Sequence, residues 1–271
     1  MKGRTSRGDD FGDLAAVVAT TREASGYRFG EALIAWLSRH VSFDHCVVFG
    51  YRGAARPPML FETFSPSESH VFVALYQEGP YLLDPFHHAA IERKEGFWRM
   101  RELAPDRFYA SEYFRSYYSQ TKLAEEVGFF VPLPGKDAVV LSLMRLKVSG
   151  PFGTADARKL RDMAPLVIEL CRQRWPGLPE TEQPAPTEKN APASVNEFDR
   201  THIWESLSLT AREMHVVDMV LQGHSTESIA RSLGVAPGTV KVHRRNIHHK
   251  LGIKSQAELF ARFIQIIEKR R

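Results

Sequence analysis

One proline-rich stretch limits how this chain can fold more than any other feature of the sequence. Residues 176–200 contain five prolines among Glu, Thr and Ala, with almost no large apolar side chain. Such a stretch cannot bury enough apolar surface to offset the entropy that it would lose on ordering. We therefore predict a semi-extended linker over residues 176–200, between an N-terminal domain of residues 1–175 and a C-terminal domain of residues 201–271.

The charge of the chain is divided unevenly between these parts. The 271 residues carry 36 Lys and Arg against 32 Asp and Glu, a net charge of only +4. Residues 201–271 alone hold 11 basic side chains, 6 acidic ones and six histidines. The small overall charge therefore hides a basic C-terminal domain, which indicates a nucleic acid as its partner.

Composition excludes several classes of protein. Cys46 and Cys171 are the two cysteines of the sequence, too few for a disulfide framework and consistent with a reducing compartment. No apolar run reaches the roughly 18 residues of a transmembrane helix, and the first residues lack the apolar stretch of a signal peptide. The sequence predicts a cytoplasmic protein that has no membrane partner.

The N-terminal domain has the pattern of a mixed α and β fold. Helices are predicted at Gly30–His40, Ser67–Gln77, Ser111–Gln120 and Thr154–Arg172; strands are predicted at His45–Tyr51, Met59–Phe64, Gly128–Leu133 and Ala138–Met144. The last two strands form a hairpin, and helices stand before, among and after the strands. We expect an α+β fold, an α/β/α sandwich with an antiparallel sheet, of the kind found in sensory domains.

The C-terminal domain carries the strongest local signals. Thr210 and Glu213 form a capping box, and the helix that they open ends at Gly223. A short helix follows over Thr226–Leu233, then a tight turn at Gly234, then a third helix that starts at Pro237 and runs to about Leu251. This order of helices and turn predicts a helix-turn-helix inside an all-α, four-helix domain.

The third helix has a basic face opposite its buried face. On a helical wheel Val240, Ile247 and Leu251 point together toward the core. Val242, Arg245 and His249 point the other way and are flanked by Lys241. A helix of this shape fits the major groove of double-stranded DNA. The alternative, a merely solvated basic face, is disfavoured because the preceding helix and the turn agree with the motif.

Residues 209–259 resemble the LuxR-type DNA-binding domain. The resemblance rests on Leu209-Thr-x-Arg-Glu213, Gly223, Ile229-Ala230, Thr239-Val-Lys-x-His243 and Lys250-Leu251. It implies regulation of transcription, binding as a dimer to a two-fold-related promoter site, and contact with RNA polymerase. It also implies that Lys241, Val242 and Arg245 read bases, a set to which the wheel adds His249. Ala236 departs from the family, which usually has a serine there as the N-cap of the recognition helix.

Phosphate contacts and a dimer contact are the remaining expectations for this domain. We expect Thr226, Thr239, Lys250 and Lys254 to lie against DNA phosphates. The last helix, from Ser255 to about Arg270, has an apolar stripe that looks wider than one small core needs. We therefore predict that its surplus, Leu259, Phe263 and Ile267, forms a homodimer contact; the other reading is that the stripe packs on the core of its own domain.

The input to the N-terminal domain is less clear from the sequence. A phosphoacceptor receiver is excluded, because no early buried strand ends in an acidic pair and no strand near residue 50 ends in Asp. The domain resembles the acyl-homoserine-lactone-binding domain of quorum-sensing LuxR-type proteins through Phe72 and Tyr76, Asp84-Pro85, and Trp98. The resemblance implies that Asp84 accepts a hydrogen bond from a ligand amide and that the aromatic rings wall the ligand.

The density of aromatic residues also favours a pocket. Eleven aromatic side chains fall between Tyr76 and Tyr118, and six of them are tyrosines, which suit a cavity with a few polar anchors. We expect Phe72, Tyr76, Tyr81, Asp84 and Trp98 to bind a small, partly apolar effector. Core packing of the aromatic pair, with Asp84 as a helix cap, is the competing reading.

Catalysis and metal binding find little support. There is no nucleophile elbow, phosphate loop or Cys-His motif, so no cofactor is expected. His87 and His88 are adjacent, and adjacent histidines rarely point the same way, so no metal site is expected. The sequence thus predicts a ligand-responsive DNA-binding regulator; the alternative is a regulator whose N-terminal domain senses nothing and serves dimerisation or a protein partner.

Overall fold

The computed structural model describes residues 7–23, 25–178 and 208–269. A five-stranded antiparallel sheet forms the centre of the N-terminal domain, with the strand order β2-β1-β5-β4-β3. The strands are β1 His45–Arg52, β2 Met59–Glu62, β3 Gly96–Arg99, β4 Leu123–Pro132 and β5 Asp137–Leu146. The antiparallel sheet and the β4–β5 hairpin that the sequence predicts are confirmed.

Helices cover both faces of this sheet, as in the predicted sandwich. In the N-terminal domain they are α1 Arg7–Thr20, α2 Gly26–His40, α3 Pro66–Ser69, α4 Pro85–Ile91, α5 Met100–Leu103, α6 Glu112–Ser116 and α7 Thr154–Arg174. The pattern of the sequence had not predicted α1, α4 or β3. In the long helix α7, Leu160, Val167 and Leu170 are buried, whereas Leu166 is exposed.

Alternate residues of the strands divide the domain into two cores, because successive side chains of a strand point to opposite faces. On one face Val127, Phe129 and Val131 of β4 pack with α2 and α7 in a fully apolar core. On the other face, Phe130 of β4 and Phe49 of β1 pack with the segment between residues 72 and 118. The second face is the one that carries polar side chains.

The segment that covers this second face is irregular. The predicted helix Ser67–Gln77 begins as α3, continues as a π-helical turn over His70–Leu75 and ends as a 3₁₀ turn over Tyr76–Glu78. Gly79 stops it with a φ of 140°, a backbone conformation that glycine adopts readily. The predicted helix Ser111–Gln120 is likewise divided, into α6 and a 3₁₀ turn. Short turns of this kind aim several side chains at one point of the sheet.

The C-terminal domain is all helical, as predicted. Its helices are α8 Ala211–Gln222, α9 Thr226–Leu233, α10 Pro237–Leu251 and α11 Gln256–Lys269. The predicted linker lies outside the described residues from residue 179 onward. Its first residues continue the N-terminal domain, since the Leu178 side chain packs closely on Gly50 of β1. None of the described helices is long and apolar enough to cross a bilayer.

Candidate nucleic-acid interface and ligand cavity

Local hydrogen bonds fix the start of the helix-turn-helix. The Glu213 carboxylate accepts a hydrogen bond from the Thr210 N–H at 2.8 Å, and the Thr210 hydroxyl accepts one from the Glu213 N–H at 3.3 Å. The Ser225 hydroxyl accepts the Ser228 N–H at 3.0 Å and caps α9. These reciprocal caps satisfy backbone donors that a helix N-terminus leaves unpaired.

The turn between α9 and α10 sets the direction of the recognition helix. Gly234 has a φ of 64°, a left-handed conformation that costs glycine little. The turn also lets the Val235 N–H donate to the Ala230 carbonyl at 3.0 Å. Pro237 occupies the first turn of α10, and Ala236 provides no side-chain cap. The boundaries of α9 and α10 are those that the sequence predicts.

The outer face of α10 is free in the described structure. Val240, Ile247 and Leu251 are buried, whereas the predicted base readers Lys241, Val242, Arg245 and His249 are all exposed. Val242 has 45% of its surface accessible, which is unusual for an apolar residue on a well-packed helix. An exposed valine beside two basic side chains can contact a thymine methyl group while its neighbours bond base edges.

The predicted phosphate contacts differ in their surroundings. Thr239 and Lys254 are exposed, and the Thr226 hydroxyl accepts a long hydrogen bond from Arg244 at 3.5 Å. The Lys250 ammonium donates to the Glu213 carboxylate at 2.7 Å. Burial raises the pKa of Glu213, but its bonds to Lys250 and Thr210 outweigh burial and leave that pKa below the ordinary value. Lys250 thus has a structural partner besides any phosphate.

The apolar stripe of α11 is covered by the protein's own chain, which corrects the expectation of a surplus. Leu259 and Phe263 are 2% exposed and belong to the core that includes α8. Ile267 lies against Gly79 of the N-terminal domain so closely that a Cβ atom on Gly79 would stand 2.9 Å from its Cδ1 atom. In this arrangement Leu259 and Phe263 are buried within the chain, whereas Ile267 is only partly buried.

A short loop of the N-terminal domain holds the corner between α8 and α9. The Arg107 N–H donates to the Gly223 carbonyl at 2.9 Å, and the Asp106 carboxylate accepts the Ser225 N–H at 2.9 Å. Burial raises the pKa of Asp106, yet the bonds from Ser225 outweigh burial, so that this pKa is lowered. A side chain on Gly223 would collide with the Phe108 backbone at 2.8 Å. The two domains are therefore in close backbone contact.

A small cavity, partly open to solvent, lies on the polar face of the sheet. Its floor is built from β1, β4 and β5, and its roof from the irregular segment and α6. The lining residues are Val47, Phe49, Tyr51, Phe72, Tyr76, Asp84, Tyr113, Tyr117, Tyr118, Thr121, Leu123, Glu126, Ser142 and Met144. A cavity that is mostly aromatic and apolar with a few converging polar groups is typical of a small-molecule site.

A hydrogen-bonded chain of polar groups forms one wall of the cavity. The Tyr51 and Tyr76 hydroxyls lie 2.9 Å apart, and the Tyr76 hydroxyl donates to the Asp84 carboxylate at 2.7 Å. Asp84 also caps α4 by accepting the Phe86 N–H at 2.8 Å. Burial raises the pKa of Asp84 above its ordinary value, and the two hydrogen bonds oppose that rise. Asp84 is thus both the predicted helix cap and a cavity residue.

A second carboxyl group, that of Glu126, faces the same cavity from β4. Burial raises its pKa, and the negative charge of Asp84 raises it further, while hydrogen bonds with Ser142 and Tyr118 oppose the rise. The sheet register brings these groups together, since Glu126 pairs with Met144, and Ser142 stands two residues away on the same side of β5. Two buried carboxyl groups therefore share one small space.

The predicted ligand residues are brought together only in part. Phe72, Tyr76 and Asp84 line the cavity. Tyr81 is buried beside Tyr76 but donates its hydroxyl to the Ala54 carbonyl at 2.8 Å, and it is not among the lining residues. Trp98 is not among the lining residues either; it stands on the edge strand β3, donates to the Glu95 carbonyl and lies under the Lys94 ammonium.

Tyr51, Thr121, Glu126 and Ser142 are polar cavity residues that the sequence analysis did not assign to the site. Glu126 and Ser142 stand in long, largely buried strands, and a charged residue within a strand so buried was the signal that could have found Glu126. Deciding that it faces a cavity required the register of β4 against β5, which the sequence did not provide. Among the described residues no cluster of three His, Cys, Asp or Glu side chains could hold a metal ion.

Comparison with known proteins identifies the C-terminal domain. The family described as "Bacterial regulatory proteins, luxR family" matches residues 207–263. A putative HTH-type transcriptional regulator in the exeN 3'region of Aeromonas salmonicida is 36% identical over 192 residues, which is 67% of this chain and 93% of that protein. The chain belongs to the LuxR family of bacterial regulatory proteins. It is accordingly a transcriptional regulator with a DNA-binding helix-turn-helix, and the predicted family and fold are confirmed.

Two further comparisons each cover a different part of this LuxR-family chain. The transcriptional regulatory protein UhpA of Escherichia coli is 44% identical over 54 residues, 20% of this chain and 28% of UhpA. The LBD domain of VqsR from Pseudomonas aeruginosa has a similar structure, with a TM-score of 0.53 and 23% identity, over 62% of this chain and 96% of that one. The first likeness covers about the length of the DNA-binding domain, and the second supports the fold of the N-terminal part.

Proposed function

We propose that this LuxR-family regulator changes its binding to DNA when a small, partly apolar ligand occupies the cavity of its N-terminal domain. The observation that carries the proposal is the cavity itself, because its polar groups converge on one space that the fold leaves open. A domain that served dimerisation or a protein partner would have no need of buried carboxyl and tyrosine groups around a void, which are costly to bury.

The DNA-binding half of the proposal assigns roles along α10. Lys241, Val242, Arg245 and His249 would read base edges in the major groove, while Thr239 and Lys254 would contact phosphates. The protein would bind two-fold-related sites as a dimer, with the half-sites about one helical turn apart, and would act on RNA polymerase at the promoter. Exposure of this face in the described structure supports these roles.

Selection of binding sites from a random duplex pool, with the full chain, tests the DNA-binding half. The selected sites should be two-fold related, and Arg245→Ala should weaken them by roughly 1–3 kcal/mol and relax the base preference at one position of each half-site. Ala257→Ser, an exposed change on α11, is the control and should leave the site preference intact. Selected sequences without any consensus would contradict the proposal.

The sensing half is tested with the same sites in a promoter reporter. Solvent extracts of the bacterial culture supply the small molecules, and the reporter should respond to them in a dose-dependent way. Asp84→Asn and Tyr76→Phe should each reduce this response, because they alter the polar wall of the cavity. A response that is unchanged in both variants would leave the cavity without a sensing role and would favour a non-sensing N-terminal domain.

A further inference from the structure

The cavity has an unusual balance of charge, and this inference about its ligand depends on the proposed sensing function. Two carboxyl groups, those of Asp84 and Glu126, line the space, and both residues are at least 93% buried. The described lining residues include no lysine, arginine or histidine. Buried charges are ordinarily paired, and the described lining of this cavity supplies two acidic side chains without a basic one.

Tyrosine rings are a large part of the cavity lining. The ring of Tyr117 lies 6.1 Å from that of Tyr76 and 5.7 Å from that of Tyr113, measured between centroids. Tyr51 and Tyr118 complete the polar part of the lining. A cation within about 6 Å of a tyrosine face is attracted by the ring quadrupole, and the attraction grows when water is excluded.

The ionisable groups of the cavity lining point the same way. Burial and the charge of Asp84 raise the pKa values of Tyr76, Tyr113 and Tyr117, so that these hydroxyls stay neutral. Burial raises the pKa of Asp84, and burial together with the negative charge of Asp84 raises the pKa of Glu126, so that both carboxyl groups resist ionisation in this space. A positively charged guest would remove that repulsion, whereas a neutral guest would leave it in place.

We propose that the ligand of this cavity is a small organic amine with an apolar body, bound with its ammonium group between Asp84 and Glu126. The apolar body would lie against the apolar part of the lining, which includes Phe49, Phe72 and Leu123. Tyr76 would keep its bond to Asp84 and hold that carboxylate toward the ligand. Glu126 then determines which class of molecule is accepted, because it is the second anionic group.

Matched pairs of compounds test this assignment on the full chain. Phenethylamine and phenethyl alcohol share one carbon skeleton, as do hexylamine and hexanol, and each pair differs in charge at neutral pH. Melting temperature is measured against compound concentration. The amines should stabilise the protein at concentrations about tenfold lower than the alcohols do, because the ion pair and the ring contacts act in a site with little water.

Variants separate the role of Glu126 from general effects of mutation. Glu126→Gln keeps the size of the side chain and removes its charge, and it should abolish the preference for the amines. Glu169→Gln makes the same chemical change on an exposed site of α7, and it should leave the preference as it is. Circular dichroism of both variants checks that the fold is retained.

The outcomes distinguish this inference from the proposed function beneath it. Equal stabilisation by amines and alcohols, or a preference that survives in Glu126→Gln, overturns the assignment of an amine while the sensing cavity stands. Native mass spectrometry of the full chain is an independent measurement. A co-purified ligand without nitrogen would overturn the assignment of an amine and leave the sensing function in place. No effect of any of the four compounds, together with no co-purified molecule, overturns both.

Discussion

Two regions of this regulator carry functional side chains, and they do so in opposite ways. The outer face of α10 presents Lys241, Val242 and Arg245 to solvent from a regular helix whose other side is packed. The cavity holds Asp84, Glu126 and its tyrosines inside the domain, between a sheet and a series of broken helical turns. The DNA-binding face of α10 lies outside the hydrophobic core, whereas the cavity is a polar space within it.

The difference predicts how each region responds to mutation. Side chains on an exposed helical face contribute little to folding, so they can be chosen for DNA alone. Side chains around a buried polar cavity contribute to folding and to recognition together, because every polar group there must be satisfied or neutralised. Changes in α10 should therefore separate stability from binding, whereas changes in the cavity should not.

The largest expected effect comes from the inner side of α10. Ile247→Ala removes a side chain that is 2% exposed and should lower the free energy of unfolding by about 2–5 kcal/mol, through lost burial and the space left behind. Arg245→Ala, on the outer side of the same helix, is the control and should change stability by less than about 0.5 kcal/mol. Urea denaturation measures both, and similar losses in the two variants would contradict the division of α10 into two faces.

A change in the cavity should affect stability in a way that depends on pH. The pKa of Glu126 is higher in the folded protein than in the unfolded chain, so its contribution to stability is lost as the pH rises from the ordinary glutamate pKa toward the folded value. Glu126→Gln should therefore stabilise the ligand-free protein by about 2 kcal/mol at pH 8 and by much less at pH 5.

Denaturation at the two pH values measures this effect, and Glu169→Gln is the matched control on the surface. Asp84 shares the cavity, and because burial raises its pKa to about 6 it also titrates between these two pH values, whereas Tyr113 and Tyr118 stay neutral because burial raises their pKa values. The effect assigned to Glu126 is therefore the difference between the two variants. An unchanged difference between pH 5 and pH 8 would show that Glu126 does not carry the raised pKa.

A smaller effect is expected at Lys250, which pairs with a buried carboxylate and also lies on the DNA-binding helix. Lys250→Ala removes the partner of the buried Glu213 carboxylate and a positive charge near the DNA. It should lower stability by about 1 kcal/mol, and it should weaken all DNA sequences alike while reducing the salt slope by about 1. Lys254→Ala should alter DNA binding in the same way without the loss of stability; fluorescence anisotropy across salt concentrations and urea denaturation distinguish the two.

The smallest effect is expected at the contact between the domains. Asp106→Ala removes one hydrogen bond to the Ser225 N–H and should cost about 0.5–1.5 kcal/mol, felt mainly as faster hydrogen exchange at the start of α9. Asp162→Ala, an exposed change on α7, should leave that exchange rate unchanged. Equal exchange rates in all three proteins would show that the contact is not formed in solution.

The sequence predicts these regions unequally, for physical reasons. The limits of α9 and α10 follow from Ser225, Gly234 and Pro237, whose effects are confined to a few neighbouring residues. The position of Glu126 depends on the register of β4 against β5, and that register is set by contacts distant along the chain. The place of Trp98 could not be predicted for the same reason, since its strand lies at the edge of the sheet and away from the cavity.

The stripe of α11 shows a further limit of sequence patterns. Its apolar spacing correctly predicts that Leu259 and Phe263 are covered, but periodicity does not name the surface that covers them. The structure supplies the core around α8 for these two residues and Gly79 for Ile267. The residues of a helix are enough to predict the helix, whereas the surface against which it packs is known only from the assembled fold.

The bonds from Asp106 and Arg107 to the start of α9 have a thermodynamic consequence. The loop that makes them is separated by only a few residues from Tyr113 in the cavity wall. One short stretch of backbone therefore joins the cavity to the attachment of the helix-turn-helix. If a guest in the cavity favours or opposes this attachment, a promoter must alter the guest's dissociation constant by the same factor in return, because linkage between two sites is reciprocal. Titrating a ligand in the presence and absence of operator would then report on the attachment without any change to the protein.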